Sequence, residues 1–239
     1  MTSVRPRPHQ RYTADGRRMR EVLTYSRRGG RLSSPQQEAW DAYHEVWCIP
    51  DDSVDQSDFS LEEWFGRSAP LVVEIGSGIG EATAQLAVTR PGTNILALEV
   101  WRPGVAGTLA RLAEGGVCNV RLLSVDAVWS LTNLVPEGGL AGLWTFFPDP
   151  WPKKKHHKRR LVSPAFARLA ATRLDVGATW RLATDWTEYA EAIVESLDAE
   201  PLLSGGPVPR WDDRPVTRFE GKGLRAGRTI TDLAYTRTH

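Results

Sequence analysis

Residues 71–80 read Leu71-Val72-Val73-Glu74-Ile75-Gly76-Ser77-Gly78-Ile79-Gly80, and the helix-patterned stretch Glu81–Val88 follows. This is a strand, a tight turn and a helix. Glycines belong where backbone must bend sharply or approach a ligand. A dinucleotide fingerprint would read G-x-G-x-x-G. Counted from Gly76, its last glycine would fall at 81, which is Glu81; the third glycine stands at 80. An acid in the first helical turn also repels a pyrophosphate. A cofactor with a cationic end fits better. S-adenosylmethionine carries a sulfonium and an α-ammonium and no phosphate. The plain alternative is a glycine-rich turn that holds nothing.

Outward from the turn the same pattern repeats. Asn94–Val100, Val120–Val125, Leu140–Phe147 and Thr179–Thr184 are apolar runs that read as strands. Between them, Val105, Leu109 and Leu112 share one helix face, as do Phe166, Leu169, Ala170 and Leu174. Trp186, Tyr189, Ala190, Ile193 and Leu197 mark a further helix. Continuous apolar strands alternating with helices predict an α/β fold: a mostly parallel central sheet with helices on both faces. After Pro201 the alternation of Thr229–Thr236 predicts an antiparallel C-terminal strand. Upstream, Trp40, Tyr43 and Trp47 predict a short helix over 36–49. Residues 1–35 read as a basic, largely flexible arm and residues 36–239 as a single domain.

Three acids sit where a nucleoside cofactor would want them. Glu74 lies in the first strand, Glu99 near the end of the second, and Asp126 just past the third. Ligands of open α/β sheets bind at the carboxyl ends of strands, and an acid about 20 residues beyond the glycine turn can accept from ribose hydroxyls. Asp126 can accept from an adenine amino group. For each acid the competing reading is a helix N-cap or first-turn residue.

The net charge of the 239 residues is only +1, from 30 Lys+Arg against 29 Asp+Glu. Its distribution is uneven. Residues 1–35 carry nine Arg and two acids, residues 36–149 five Arg and sixteen acids, and residues 150–239 sixteen basic and eleven acidic residues. Basic ends around an acidic middle point to a polyanionic partner, because patches set the local field. Composition is ordinary for a globular chain, with 41% hydrophobic residues, and excludes a disordered or collagenous class. Two cysteines cannot build a disulfide framework or a four-ligand zinc site. No apolar run approaches the roughly 18 residues of a membrane span, and the N-terminal stretch lacks a secretory pattern. The expected location is the cytoplasm, with no membrane, no DNA and no obligate protein partner.

The fourth strand runs into Phe147-Pro148-Asp149-Pro150-Trp151-Pro152, then Lys153-Lys154-Lys155-His156-His157-Lys158-Arg159-Arg160. Prolines hold one carboxylate beside an aromatic ring at the lip of the presumed cleft. A basic run is often only a solvated face, but its attachment here favours a grip on phosphates. Trp151 and Phe147 are able to stack on a splayed base, as single-stranded RNA is read; packed corner residues are the alternative. His156 and His157 are adjacent and point apart, so no metal site is expected. Asp185 with Glu188 three residues on resembles a capping box.

The stretches Glu74–Glu81, Leu98–Val105, Phe147–Leu161, Ala183–Ala190 and Thr217–Gly223, in this order and spacing, resemble the bacterial tRNA (guanine-N7-)-methyltransferase family. So do Arg27–Leu32 with Gln36 and Gln37, and the likeness runs from about Leu23 to the C-terminus. The resemblance implies a Rossmann-like class I methyltransferase fold with S-adenosyl-L-methionine as cofactor and tRNA as partner. It implies N7-methylguanosine as product, at position 46 of the variable loop. Glu74, Gly76, Glu99 and Asp126 match cofactor-binding positions. Asp149 matches the catalytic carboxylate, also close to the cofactor. Lys153, Asp185, Thr217, Arg218, Phe219 and Glu220 match substrate-contacting positions. Trp101 stands where an aromatic or basic residue is usual, one glycine of Gly221-Lys222-Gly223 replaces a frequent basic residue, and residues 1–22 have no counterpart in the family pattern.

Guanine N7 offers an in-plane lone pair and carries no proton. Attack on a sulfonium methyl needs no general base, which suits a chain with no evident His–Asp or Cys–His pair. Competing readings are a methyltransferase acting on another RNA atom or on protein, a dinucleotide enzyme, and a non-catalytic RNA-binding module. Glu81 disfavours the dinucleotide enzyme. The RNA module would leave the three acids idle.

Overall fold

The computed structural model describes residues 23–25 and 29–239. The expectation of a flexible arm falls largely outside the described residues, as do Arg27 and Arg28 of the opening motif. Among the described residues, eight strands form one sheet: β1 (Cys48–Ile49), β2 (Leu71–Ile75), β3 (Asn94–Leu98), β4 (Val120–Leu123), β5 (Leu140–Phe146), β6 (Leu174–Thr184), β7 (Leu203–Val208) and β8 (Thr231–Arg237). Their order is β1-β4-β3-β2-β5-β6-β8-β7. Pairs from β1 through β6 are parallel, and β8 runs antiparallel to both β6 and β7. Strand order reverses between β2 and β5, which is where such sheets open a crevice for ligands.

The helices are α1 (Ser34–Trp47), α2 (Leu61–Phe65), α3 (Glu81–Thr89), α4 (Arg102–Gly115), α5 (Ala127–Leu134), α6 (Pro164–Arg173), α7 (Thr187–Asp198) and α8 (Arg218–Arg225). Side chains alternate across the pleat and feed two cores. Val72, Ile95, Ala97, Leu122 and Trp144 pack against Leu86 of α3, Leu109 of α4 and Trp47 of α1. Val73, Leu96, Leu98, Leu143 and Leu182 pack against Leu131 of α5, Phe166 of α6 and Ile193 of α7. The sheet is therefore buried on both faces, as its continuous apolar strands require.

Several boundaries differ from the sequence expectations. The first helix begins at Ser34, where Ser33 and Gln36 form a capping box. Its expected last residues, Cys48 and Ile49, instead pair with Leu122 and Leu123 as a sheet edge. Leu174 is not on the α6 face; it opens β6, which starts five residues before the expected Thr179. The helices α5 and α8 are not among the expected elements, although the N-cap reading of Asp126 implies the start of α5. Two signals would have exposed them: Asp126 accepts from Trp129 N at the start of α5, and Thr217 Oγ1 accepts from Glu220 N at the start of α8.

Candidate active site

The crevice lies at the carboxyl ends of β2, β3 and β5. It encloses about 1230 Å³, its open mouth included, and is lined by Glu74 to Ile79, Glu99 to Trp101, Phe146 to Asp149, Thr217 and Phe219. The turn that forms its floor depends on glycine. Gly78 sits at φ +60° and donates its N–H to Glu99 Oε2 at 2.8 Å. Gly80 sits at φ +75°, and a Cβ there would collide with Thr108 of α4. Gly76 donates to Leu98 O at 2.8 Å, so the turn closes directly onto the end of β3.

Glu74 and Glu99 face this turn. Glu74 is 3% exposed and accepts from Thr83 Oγ1 at 2.5 Å. Burial pushes its carboxyl up to about 7; the Thr83 hydrogen bond opposes this and the nearby Glu99 charge adds to it. Glu99 uses one oxygen on Gly78 N and the other on Trp101 N, both at 2.8 Å. A carboxylate oxygen is able to accept two hydrogen bonds. Ser77 Oγ is buried in the same lining and has no hydrogen-bond partner among the described residues. A buried hydroxyl left unpaired is costly. Two acids and an unpaired hydroxyl thus share one crevice. Sequence reading missed Ser77, because its isolation is visible only once the turn is folded.

Asp126 is an N-cap, accepting from Trp129 N at 3.0 Å. Its neighbours Val125 and Ala127 line the crevice, whereas Asp126 itself does not. Replacing Asp126 by Ala should lower stability by about 1 kcal/mol, and Ser should restore most of it. Equal melting of wild type and the Ala variant would refute the cap.

Asp149 lines the crevice between its two prolines. The turn that presents it is strained: Phe147 has φ +53° and Trp151 φ +46°, a region costly for residues with a Cβ. Three contacts hold it. Phe147 N donates to Ala183 O at 2.7 Å, buried Arg160 donates Nε to Pro150 O at 2.9 Å, and Trp151 Nε1 donates to Thr24 O at 3.3 Å.

The basic run forms a short 3-10 turn, Lys154–Arg159. Lys153, Lys154, Lys155 and Lys158 are exposed. The two arginines are used internally. Arg159 lies 3.6 Å over the Trp151 ring and donates to Leu23 O and Tyr25 O at 3.0 and 3.2 Å. One face of Trp151 is thus covered by a guanidinium, which weakens the expectation that this ring stacks on a base. Residues 23–25 are held at the cleft, where Thr24 and Tyr25 join the lining. No cluster suited to a metal ion occurs among the described residues.

Of the residues matched to substrate contacts, Thr217 and Phe219 reach the crevice and the others do not. The Arg218 N–H donates to Glu81 Oε2 at 2.7 Å. Glu220 is 1% exposed and bound to Arg210 and Arg214. Burial raises its carboxyl, but those two arginines outweigh it and hold it below the usual carboxylate range. Asp185 does not cap α7; Thr184 Oγ1 accepts from Trp186 N, and Asp185 pairs with Arg228 at 2.7 Å.

A family model described as "Putative methyltransferase" matches residues 68–233. The fold is shared with the 16S rRNA methyltransferase KamB (TM-score 0.55, 18% identity, 77% of this chain and 94% of that one). It is also shared with a 16S rRNA (adenine(1408)-N(1))-methyltransferase from Catenulisporales acidiphilia (TM-score 0.51, 16% identity, 77% and 93%). Fold and site together define a class I methyltransferase. Among curated proteins, the chain is 66% identical to a tRNA (guanine-N(7)-)-methyltransferase of Nocardioides sp. (strain ATCC BAA-499 / JS614), over 98% of this chain and 95% of the relative. It is 46% identical to that of Cutibacterium acnes (strain DSM 16379 / KPA171202), over 91% and 84%. The chain belongs to the tRNA (guanine-N7-)-methyltransferase family.

Proposed function

We infer that this chain transfers a methyl group from S-adenosyl-L-methionine to N7 of a guanine in tRNA, and that the guanine is the one at position 46 of the variable loop. Within the family, the observation that carries the site assignment is Asp149. Its carboxylate stands on a strained, proline-locked turn in the same crevice as Glu74, Glu99 and the unpaired Ser77 hydroxyl. S-adenosyl-L-methionine, when bound, supplies an electrophilic methyl on its sulfonium. Glu74 and Glu99 hold the cofactor's donor groups, and Ser77 meets its carboxylate. Asp149 accepts from the N1–H and amino edge of guanine and so fixes N7 in line with the methyl. Formation of the N7–C bond breaks the methyl–sulfur bond, whose electron pair stays on sulfur as a neutral thioether leaves; positive charge thereby moves onto the purine, and the same carboxylate would offset it. No proton is transferred in this step.

Residues 36–239 act as one methyltransferase domain in this reading. The tRNA backbone lies along the exposed lysines 153, 154, 155 and 158. No helix of the described residues is long and apolar enough to cross a membrane. Transfer of labelled methyl groups to tRNA lacking the modification, followed by N7-selective strand cleavage, tests the assignment. Label at any site other than a variable-loop guanosine would sink it.

Affinity for tRNA should fall steeply with salt, while cofactor affinity hardly changes. Changing the four lysines to Gln should flatten the log–log salt slope by about 3, since each phosphate contact contributes roughly 0.7–0.9. An unchanged slope would make these lysines solvated surface only.

A further inference from the structure

We infer that Arg214 is a positioning residue: its buried guanidinium seats α8 against β8 and so builds the outer wall of the cleft. The inference rests on reading that cleft as the cofactor site. The Arg214 side chain is 0% exposed, an unusual place for a charge. It is fully partnered. Nη1 donates to Glu220 Oε2 at 2.7 Å, and Nη2 to Asp232 Oδ1 and Oδ2 at 2.9 and 3.0 Å. Nε adds a bond to Asp232 Oδ1 at 3.2 Å. The guanidinium carbon also lies 5.5 and 5.4 Å from the rings of Phe146 and Phe147, immediately before the Asp149 turn. One side chain therefore ties together α8, β8 and the end of β5.

The helix it holds is poorly suited to hold itself. It has eight residues, including Gly221 and Gly223, and a helix that short with two glycines has little intrinsic stability. Yet α8 carries Phe219, whose ring faces Gly78 of the glycine turn; a Cβ at Gly78 would lie 3.8 Å from it. Thr217, its N-cap, lines the same crevice. Glu220 is then an internal anchor that acts through Arg214, and its side chain does not touch substrate.

The test compares wild type with Arg214→Lys and Phe219→Ala, using calorimetric binding of S-adenosylmethionine and methyl transfer to unmodified tRNA. Lysine keeps the charge but not the planar fork that serves two carboxylates at once. The expected result for Arg214→Lys is a rise of about tenfold in KM for the cofactor, with kcat at saturating cofactor and KM for tRNA nearly unchanged. Phe219 is 40% exposed, so its truncation leaves folding intact and should move the same constant the same way. A normal cofactor KM in both variants, or an equal loss in every constant, would overturn the positioning role. Failure of wild type to bind the cofactor at all would overturn the reading of the cleft, and the inference with it.

Discussion

Asp149→Ala should lower kcat by about 10²–10³, the loss typical when a group aimed at developing charge is removed, while the dissociation constant for S-adenosylmethionine stays within a few-fold. The reason lies in the placement of the residue. Asp149 is at the lip of the crevice, on a turn whose backbone is held by Ala183, Arg160 and Thr24. Removing the side chain leaves the cofactor's acids in place. Asp149→Asn keeps the shape and one acceptor but loses the charge, so it should fall between Ala and wild type. Single-turnover methyl transfer on tRNA, with calorimetric cofactor binding beside it, measures both. Turnover near wild type in the Ala variant would remove Asp149 from the reaction.

Glu74→Gln should weaken cofactor binding by about 10²–10³, the range for truncating one partner of a buried charged contact. The free protein should respond in the opposite sense. The Glu74 carboxyl has a reference value of 4.5 and is raised to about 7 in the fold. Between those values the folded state binds more protons than the unfolded one. Unfolding free energy therefore falls as pH rises from about 4.5 to 7, by a total on the order of 3 kcal/mol. Gln removes this slope, so the variant should melt higher than wild type at pH 8 and nearly level with it at pH 5. Cofactor affinity of the wild type should rise across the same window, because a cationic ligand needs the ionised carboxylate. Parallel melting curves for the two proteins against pH would show that Glu74 is not the buried acid described here.

Much of this arrangement was legible in the chain. The strands β2 to β5 announce themselves because a doubly covered strand has no reason to alternate. Glu74 and Glu99 are readable because strand ends and ligand sites coincide in open sheets. What escaped depends on contacts between distant segments. The helix α8 was hidden by Gly223, which sequence reads as a helix breaker. A Cβ at that position would lie 2.9 Å from Asp185 Cβ, so the glycine is there to admit a neighbour. Ser77 drew no reading from the sequence, because only the folded turn shows its hydroxyl buried and without a partner among the described residues. Glu81 was read only for what it repels, yet it binds the first N–H of α8. Glu220 was read as a ligand contact, and Asp126 as a ligand contact with a helix N-cap as the alternative. The cap is what Asp126 forms, while the pairing of Glu220 with two arginines is a contact that local sequence does not reveal.

The strand order has a temporal side. In space β8 lies between β6 and β7, and among the described residues β7 pairs with β8 alone. On a ribosome β7 emerges first and must wait without a partner until Thr231–Arg237 follows it out of the tunnel. The same final strand brings Asp232 to Arg214. Translation therefore delivers the glycine turn well before the last clamp of the cleft. A nascent chain carries the parts of a methyl-donor site well before it can use them, and it becomes competent to modify tRNA only after Thr231–Arg237 has left the tunnel and closed on β7.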